Sequence, residues 1–151
     1  MCYTGNMENI ISHSDINQQE GFAVIRRMNY RMAGNKHSVF LTFAGDMDLF
    51  HDGTDGKLFM FRGMDSNDKR TDPRKSDQSL VKKSGGKSAN KVFQDLVEQH
   101  KKGEKAERVR LYEKVATNKW KDKGEFELVD VKYGSFPNGN RKIFVFSLNP
   151  V

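Results

Sequence analysis

The sequence predicts a single α+β domain built on a twisted, mainly antiparallel β sheet, with one main helix packed outside it. Three observations carry that expectation. The chain closes with three strand-like segments, at 109–115, at 124–130 behind Trp120, and at 141–148, with a turn signal at each join. Two earlier runs, 38–43 and 58–61, are short, apolar and aromatic, which suits buried strands better than helices. Between the two groups, the segment at about 88–102 has helical spacing.

The elements follow in order. Residues 1–20 are polar and mixed and read as a loose N-terminal arm with a short turn or helix at 15–19; residues 21–151 form the domain. Phe22-Ala23-Val24-Ile25-Arg26-Arg27-Met28 is apolar and compatible with a strand. Ser38-Val39-Phe40-Leu41-Thr42-Phe43 is rich in strand formers. The stretch 45–56 holds four Asp and three Gly, so it is a loop. Leu58-Phe59-Met60-Phe61 is a strand ended by Gly63. Residues 64–87 are almost wholly polar, with Pro73, Gly85 and Gly86, and form a long loop of the kind that is either functional or disordered. Val92, Phe93, Leu96 and Val97 make one apolar helix stripe, with Ser88 as N-cap and Gly103 as stop. Val109, Leu111, Phe126 and Leu128 alternate with polar residues, as half-buried antiparallel strands do. Pro137-Asn138-Gly139-Asn140 marks a hairpin turn between the last two strands.

Composition narrows the function classes. With 36 % hydrophobic residues and 30 % charged, the chain is polar, yet eleven Phe, four Tyr and one Trp suffice for a core. Its 26 Lys and Arg against 20 Asp and Glu leave a formal charge of +6, which suits a polyanionic partner and equally the ordinary charge of a soluble surface. No apolar run approaches the roughly 20 residues of a membrane span, so no membrane partner is expected. Residues 1–11 lack the basic start and apolar middle of a signal peptide, and the single Cys2 makes no internal disulfide; both fit the cytoplasm.

Several catalytic or ligand-binding constellations can be weighed. A zinc nuclease of the HNH type needs a His-rich metal site, and His13, His37, His51 and His100 lack such spacing. Asp130-Val131-Lys132 is half of a magnesium nuclease motif, in which two oxygen ligands and a Lys would flank the attacked phosphate; a solvent-facing strand edge explains it as well. Ser84-Gly85-Gly86-Lys87-Ser88 opens a helix like the end of a phosphate loop, but Val81 stands where that motif's first Gly belongs. A weaker form survives, in which the helix start, Lys87 and Lys91 hold a DNA phosphate. The acidic loop 46–52 lacks calcium-loop spacing, so neither metal nor cofactor is expected. That loop lies between two aromatic strands. Rings that stack on a base, beside a carboxylate that accepts from an exocyclic amine, are what a pocket for an extruded cytosine requires. The competing reading is that these Phe residues are core and these Asp residues solvated.

From Ser38 to Leu148 the chain resembles the SRA (SET and RING-associated) or YDG-type domains that read modified cytosine in DNA, and most of all the bacterial branch found in front of HNH nuclease domains in modification-dependent restriction enzymes. The residues that carry the resemblance are Ser38-Val39-Phe40-Leu41, Asp55-Gly56-Lys57-Leu58-Phe59-Met60-Phe61-Arg62-Gly63, Asp77-Gln78-Ser79-Leu80, Asn90 with its helix, and the closing strands. The family implies a curved barrel-like sheet and recognition by flipping one base between aromatic rings. Phe61 then stands at the Tyr of the family's Tyr-x-Gly signature. Phe50 and Asp52 fall near its aromatic and acidic pocket positions, with Asp46 and Asp48 as rivals and Phe43 beside them. Trp120 and Gly124 replace the Tyr and Gly of the YDG signature. At positions 50 and 61 the hydroxyl is lost, so stacking is kept and a polar contact is not.

The reading is therefore a non-catalytic domain that binds double-stranded DNA containing modified cytosine (of the 5-methyl- or 5-hydroxymethylcytosine type) by base flipping, as the specificity part of a modification-dependent restriction system with a nuclease domain or subunit as partner. A magnesium nuclease using Asp130 and Lys132, and a β barrel that binds RNA or single strands, are the alternatives. Lys69, Arg70, Arg74, Lys75, Lys82, Lys83, Lys87 and Lys91 are the expected backbone contacts. Neutralising Lys82, Lys83 and Lys87 together should flatten the log–log salt dependence of DNA binding by about 2 to 3 units, at just under one per phosphate. An unchanged slope would place this loop away from DNA.

Overall fold

Among the described residues of the computed structural model, 10–32, 34–43, 52–65, 77–82, 85–135 and 141–151, eight strands and two helices follow one another. They are β1 (Ile10–Ile11), α1 (His13–Glu20), β2 (Met28–Asn29), β3 (Ser38–Phe43), β4 (Gly53–Asp55), β5 (Leu58–Arg62), α2 (Ala89–Lys101), β6 (Glu107–Ala116), β7 (Lys119–Gly134) and β8 (Ile143–Pro150). The strands form one sheet in the order β2-β3-β6-β7-β8-β5-β4, with β1 on β7 off that path. Every pairing is antiparallel except β3 with β6. The sheet does not close: β3 and β5 lie near its opposite ends. The expected α+β sheet with a helix outside it is the fold observed.

Local chemistry explains the main elements. β6 turns into β7 through Thr117-Asn118, flanked by the Ala116–Lys119 pair; Asn118 takes φ 53, a left-handed turn conformation that Asn tolerates. Gly124 has φ 86 at the register shift where β7 bulges against Leu111 and Tyr112. A bulge there needs a residue free to adopt positive φ, which is why Gly stands in this strand. α2 begins on the Ser88 hydroxyl, which accepts from the Lys91 N–H, and its Val92, Phe93, Leu96 and Val97 face the sheet. The strands expected at 38–43 and 58–61, the helix expected at about 88–102 and the three closing antiparallel strands agree with the elements observed. The hairpin turn called at 137–140 lies outside the described residues.

The sheet packs on both faces. In β3 the alternation is visible: Phe40 enters a core with Phe61, Phe93, Leu111, Phe146 and Leu148, whereas Val39 and Leu41 point the other way, to Ile16, Val24, Tyr112 and Trp120. A strand buried on both faces reads as one continuous apolar run, and its one parallel pairing fits that burial.

Two expectations are corrected here. Residues 10–20, assigned to a loose arm, are folded against the sheet. β1 pairs with β7, and α1 starts from a capping box in which Ser12 and Asp15 bond each other's backbone N–H. Ile16 is fully buried, and Glu20 accepts a hydrogen bond from the Tyr112 hydroxyl at 2.7 Å and lies 2.7 Å from His37 Nε2. Burial first, and then the bond to Glu20, push the Tyr112 pKa far upward, so its hydroxyl stays a neutral donor. The second correction concerns 22–28, which is not a strand before Met28. The Val24 N–H donates to the Asn17 side chain at 2.8 Å and the Val24 carbonyl meets His13 Nε2 at 2.5 Å, so side chains of α1 satisfy the backbone that a partner strand would otherwise pair.

The loops behind β5 are held by two amides. Asn90 accepts from the Met64 N–H at 2.8 Å and donates to the carbonyls of Met64 and Ser79. Gln78 donates to the Gly63 carbonyl at 2.8 Å and accepts from the Phe144 N–H at 2.8 Å. Gly63 lies between them, and a Cβ there would come within 2.5 Å of Asn90 Oδ1 and 2.9 Å of Gln78 Oε1.

Ile16→Ala should cost roughly 2–5 kcal/mol and lower the melting temperature by roughly 5–15 °C, whereas a loose arm would show no change. Gly63→Ala should cost about 1–3 kcal/mol in urea unfolding through overpacking. Gly53→Ala, where a Cβ meets nothing within 4 Å, serves as the matched control.

Candidate nucleic-acid interface

The site is built where the sheet fails to close. β3 and β5 share no backbone ladder, but their side chains meet: the Phe40 and Phe61 ring centroids lie 4.6 Å apart at 33°. Arg27, just ahead of β2, lays its guanidinium over Phe61 with its central carbon 4.1 Å from the ring centroid. The same group donates to the Arg62 carbonyl of β5 at 3.0 Å and to the Leu41 carbonyl of β3 at 3.3 Å, and it pairs with Asp52. Asp52 in turn accepts from the Thr42 hydroxyl of β3 at 2.7 Å and from the Arg62 N–H of β5 at 2.8 Å. One cation and one carboxylate thus bridge the two strands that backbone hydrogen bonds leave apart.

Both charges are sheltered, with side-chain exposures of 10 % for Arg27 and 5 % for Asp52. A buried ion pair is tolerable only if its remaining lone pairs and protons are met, and here carbonyls, a hydroxyl and an amide meet them. Phe43, at the open end of β3, is 37 % exposed; its ring stands edge-on to Trp120 at 5.6 Å, and the Arg27 guanidinium lies 6.0 Å from its centroid. The node offers aromatic faces, a carboxylate and two strand carbonyls converging on one planar cation. That is a receptacle for a flat, donor-bearing group.

Of the pocket residues expected from sequence, Phe43, Asp52 and Phe61 come together around this node. Asp46, Asp48 and Phe50 lie outside the described residues. The placement of Phe61 needs a correction. It is fully buried between core rings and the Arg27 guanidinium, so it presents no open face here. Sequence reasoning missed Arg27 and Thr42. A signal for Arg27 existed: a cation inside the apolar run 22–28 that reaches the interior needs an acidic partner, and Asp52 was already singled out for its acidity.

Among the expected backbone contacts, Lys82 is exposed; its N–H donates to the Gly86 carbonyl at 2.7 Å and its carbonyl accepts from the Gly85 N–H at 2.9 Å. These bonds, with Gly85 at φ 95, account for the glycines that resembled a phosphate loop. Lys87 and Lys91 reach Asp95 at 3.2 and 2.9 Å, and the hydrogen bond that Lys91 donates to Asp95 raises the Lys91 pKa. Both amines therefore sit beside a carboxylate that a phosphate would have to displace or share. Lys69, Arg70, Arg74, Lys75 and Lys83 lie outside the described residues.

The nuclease alternative finds little support in the geometry. Lys101 lies 2.5 Å from Asp130. Burial alone would raise the Asp130 pKa, but Lys101 and the Val131 N–H outweigh it, and the net direction is down. Lys132 is exposed on the same strand. No group of three His, Cys, Asp or Glu stands together among the described residues.

No family model matches the chain, and no curated protein matches it. Solved structures do. The SRA domain of SUVH5 in complex with hemi-methylated CG DNA is 15 % identical, with a TM-score of 0.60 over 93 % of this chain and 83 % of that one. The modification-dependent TagI restriction endonuclease is 15 % identical at TM-score 0.58, and 93 % of this chain covers 48 % of it. The sulfur-binding and SRA domains of ScoMcrA, complexed with phosphorothioated DNA, give TM-score 0.58 at 15 % identity, covering 38 % of that chain. Likeness at these TM-scores over 93 % of the chain gives this chain the fold of an SRA domain.

Proposed function

We propose that this chain binds double-stranded DNA carrying modified cytosine, by flipping the base into the seam between β3 and β5, and that it serves as the non-catalytic specificity domain of a cytoplasmic modification-dependent restriction system. The single observation behind this reading is the node of Phe61, Asp52 and Thr42 at the open seam of an SRA fold. A cytosine extruded from the stack needs a ring to lie on and an acceptor for its exocyclic amine. The node already holds a flat cation, Arg27, through the same two kinds of contact. The likeness to DNA-bound SRA domains, and to a restriction endonuclease about twice the length of this chain, supports DNA as ligand and a nuclease domain or subunit as partner.

Gel shifts on methylated, hydroxymethylated, unmodified and single-stranded DNA, with and without magnesium, test the reading. Modified duplex should bind about 10-fold more tightly than unmodified, a difference of roughly 1.4 kcal/mol, because the modification adds the contact area that lets its base leave the stack for the seam. Asp130→Ala should leave every affinity unchanged, and no DNA should be cut. Preference for single strands would favour the RNA-type barrel. Metal-dependent cleavage lost in Asp130→Ala would make the chain a nuclease.

A further inference from the structure

We infer that Arg27 is a specificity-determining residue whose guanidinium occupies the base site, so that a flipped base enters only by displacing it. The inference rests on the function proposed above and adds to it the competitor that the base must overcome. A guanidinium and a cytosine share the relevant chemistry: each is flat, each lies on an aromatic ring, and each donates N–H groups to a carboxylate. Arg27 uses all three properties at once, over Phe61, against Asp52, and with further donation to the Arg62 and Leu41 carbonyls. Phe61 cannot receive a base while this arrangement stands, because its ring is fully buried. When Arg27 withdraws, one ring face, one carboxylate and two carbonyls are uncovered together.

The consequence is a threshold. Displacement costs the same whichever base is flipped. A base that gains little in the seam stays in the duplex, and the protein then holds that DNA through phosphates alone. A base whose modification adds contact area gains enough to replace the guanidinium. The segment that carries Arg27 is not locked into a long ladder: the residues before β2 are irregular, and Ile25 is 73 % exposed. The Arg27 carbonyl accepts from the Leu41 N–H at 2.8 Å, so the backbone stays on β3 while the side chain, 10 % exposed, is the part that moves.

The test uses two variants of the full chain. Arg27→Lys keeps the charge and the reach to Asp52 but has no flat face for Phe61, so it should leave the site more readily. It should bind modified duplex about 3- to 10-fold more tightly than the wild type, the range expected from losing a cation–π contact, with affinity for unmodified duplex changed by less than about 2-fold. Arg27→Ala empties the site and leaves Asp52 without its cation. Added methylguanidinium chloride at low millimolar concentration should refill it, raising the melting temperature while weakening modified-duplex binding and sparing unmodified duplex. If Arg27→Lys weakens both duplexes equally, Arg27 is a phosphate contact and the inference fails. If it weakens only modified duplex, Arg27 holds the base rather than its place, and the inference fails too. Unchanged binding by Arg27→Lys, in a wild type that prefers modified duplex, overturns the inference and leaves the proposed function standing. A wild type without preference for modified duplex overturns both. If Arg27→Ala does not fold, the Arg27→Lys arm decides alone.

Discussion

The pair formed by Arg27 and Asp52 is the constraint on which the geometry of this molecule turns. Among the described residues, an eight-stranded sheet that curls without closing brings β3 and β5 face to face with no ladder between them. Something other than backbone hydrogen bonding must satisfy the polar groups along that seam. Arg27 meets the carbonyls of Leu41 and Arg62, and Asp52 meets the Arg62 N–H and the Thr42 hydroxyl. Removing either partner strands the other charge in a sheltered place, a change that commonly costs about 3–5 kcal/mol. An apolar seam of the same shape could be as stable or more so. The retention of charge here is better explained by what the seam receives than by stability alone.

A closed barrel would have no such site. In a closed sheet every strand has two neighbours, and the interior is filled by side chains. Here the seam exchanges a run of backbone hydrogen bonds for side-chain contacts that can be remade with a ligand. The rest of the molecule makes that tolerable. One core lies between the sheet and α2, around Phe40, Phe93 and Phe146, and a second lies under α1, around Ile16, Tyr112 and Trp120. With both faces of β3 covered, the strand is held in place from each side even though part of its edge is not paired. The amide clamps of Gln78 and Asn90 do the same for the end of β5, where Gly63 lets them approach.

How much of this was legible in the sequence depended on range. β3, β5 and α2 announce themselves locally, by short aromatic runs and by a stripe that repeats at helical spacing, and the closing strands by alternation between turn residues. The parallel pairing of β3 with β6 joins Ser38 to Val109 and is invisible to any local pattern. The run at 22–28 misled because its apolar residues serve two different ends: Val24 is buried under α1, whereas Ile25 is open to solvent. Residues 10–20 looked like an arm because α1 is polar around most of its surface and anchors through Ile16 and Glu20. At the site, the aromatic and acidic residues were legible by type, and Asp52 and Phe61 did converge. The cation that joins them was not, because its partner lies 25 residues away and the two meet only once the sheet has curled.

The most direct measurement is a crystal structure of the chain with a duplex carrying a single 5-methylcytosine. The account predicts the modified base turned out of the helix and lying on Phe61, its exocyclic amine at Asp52, and the Arg27 side chain withdrawn from the seam. A base still stacked in the duplex above an unbroken Arg27–Asp52 pair would contradict it.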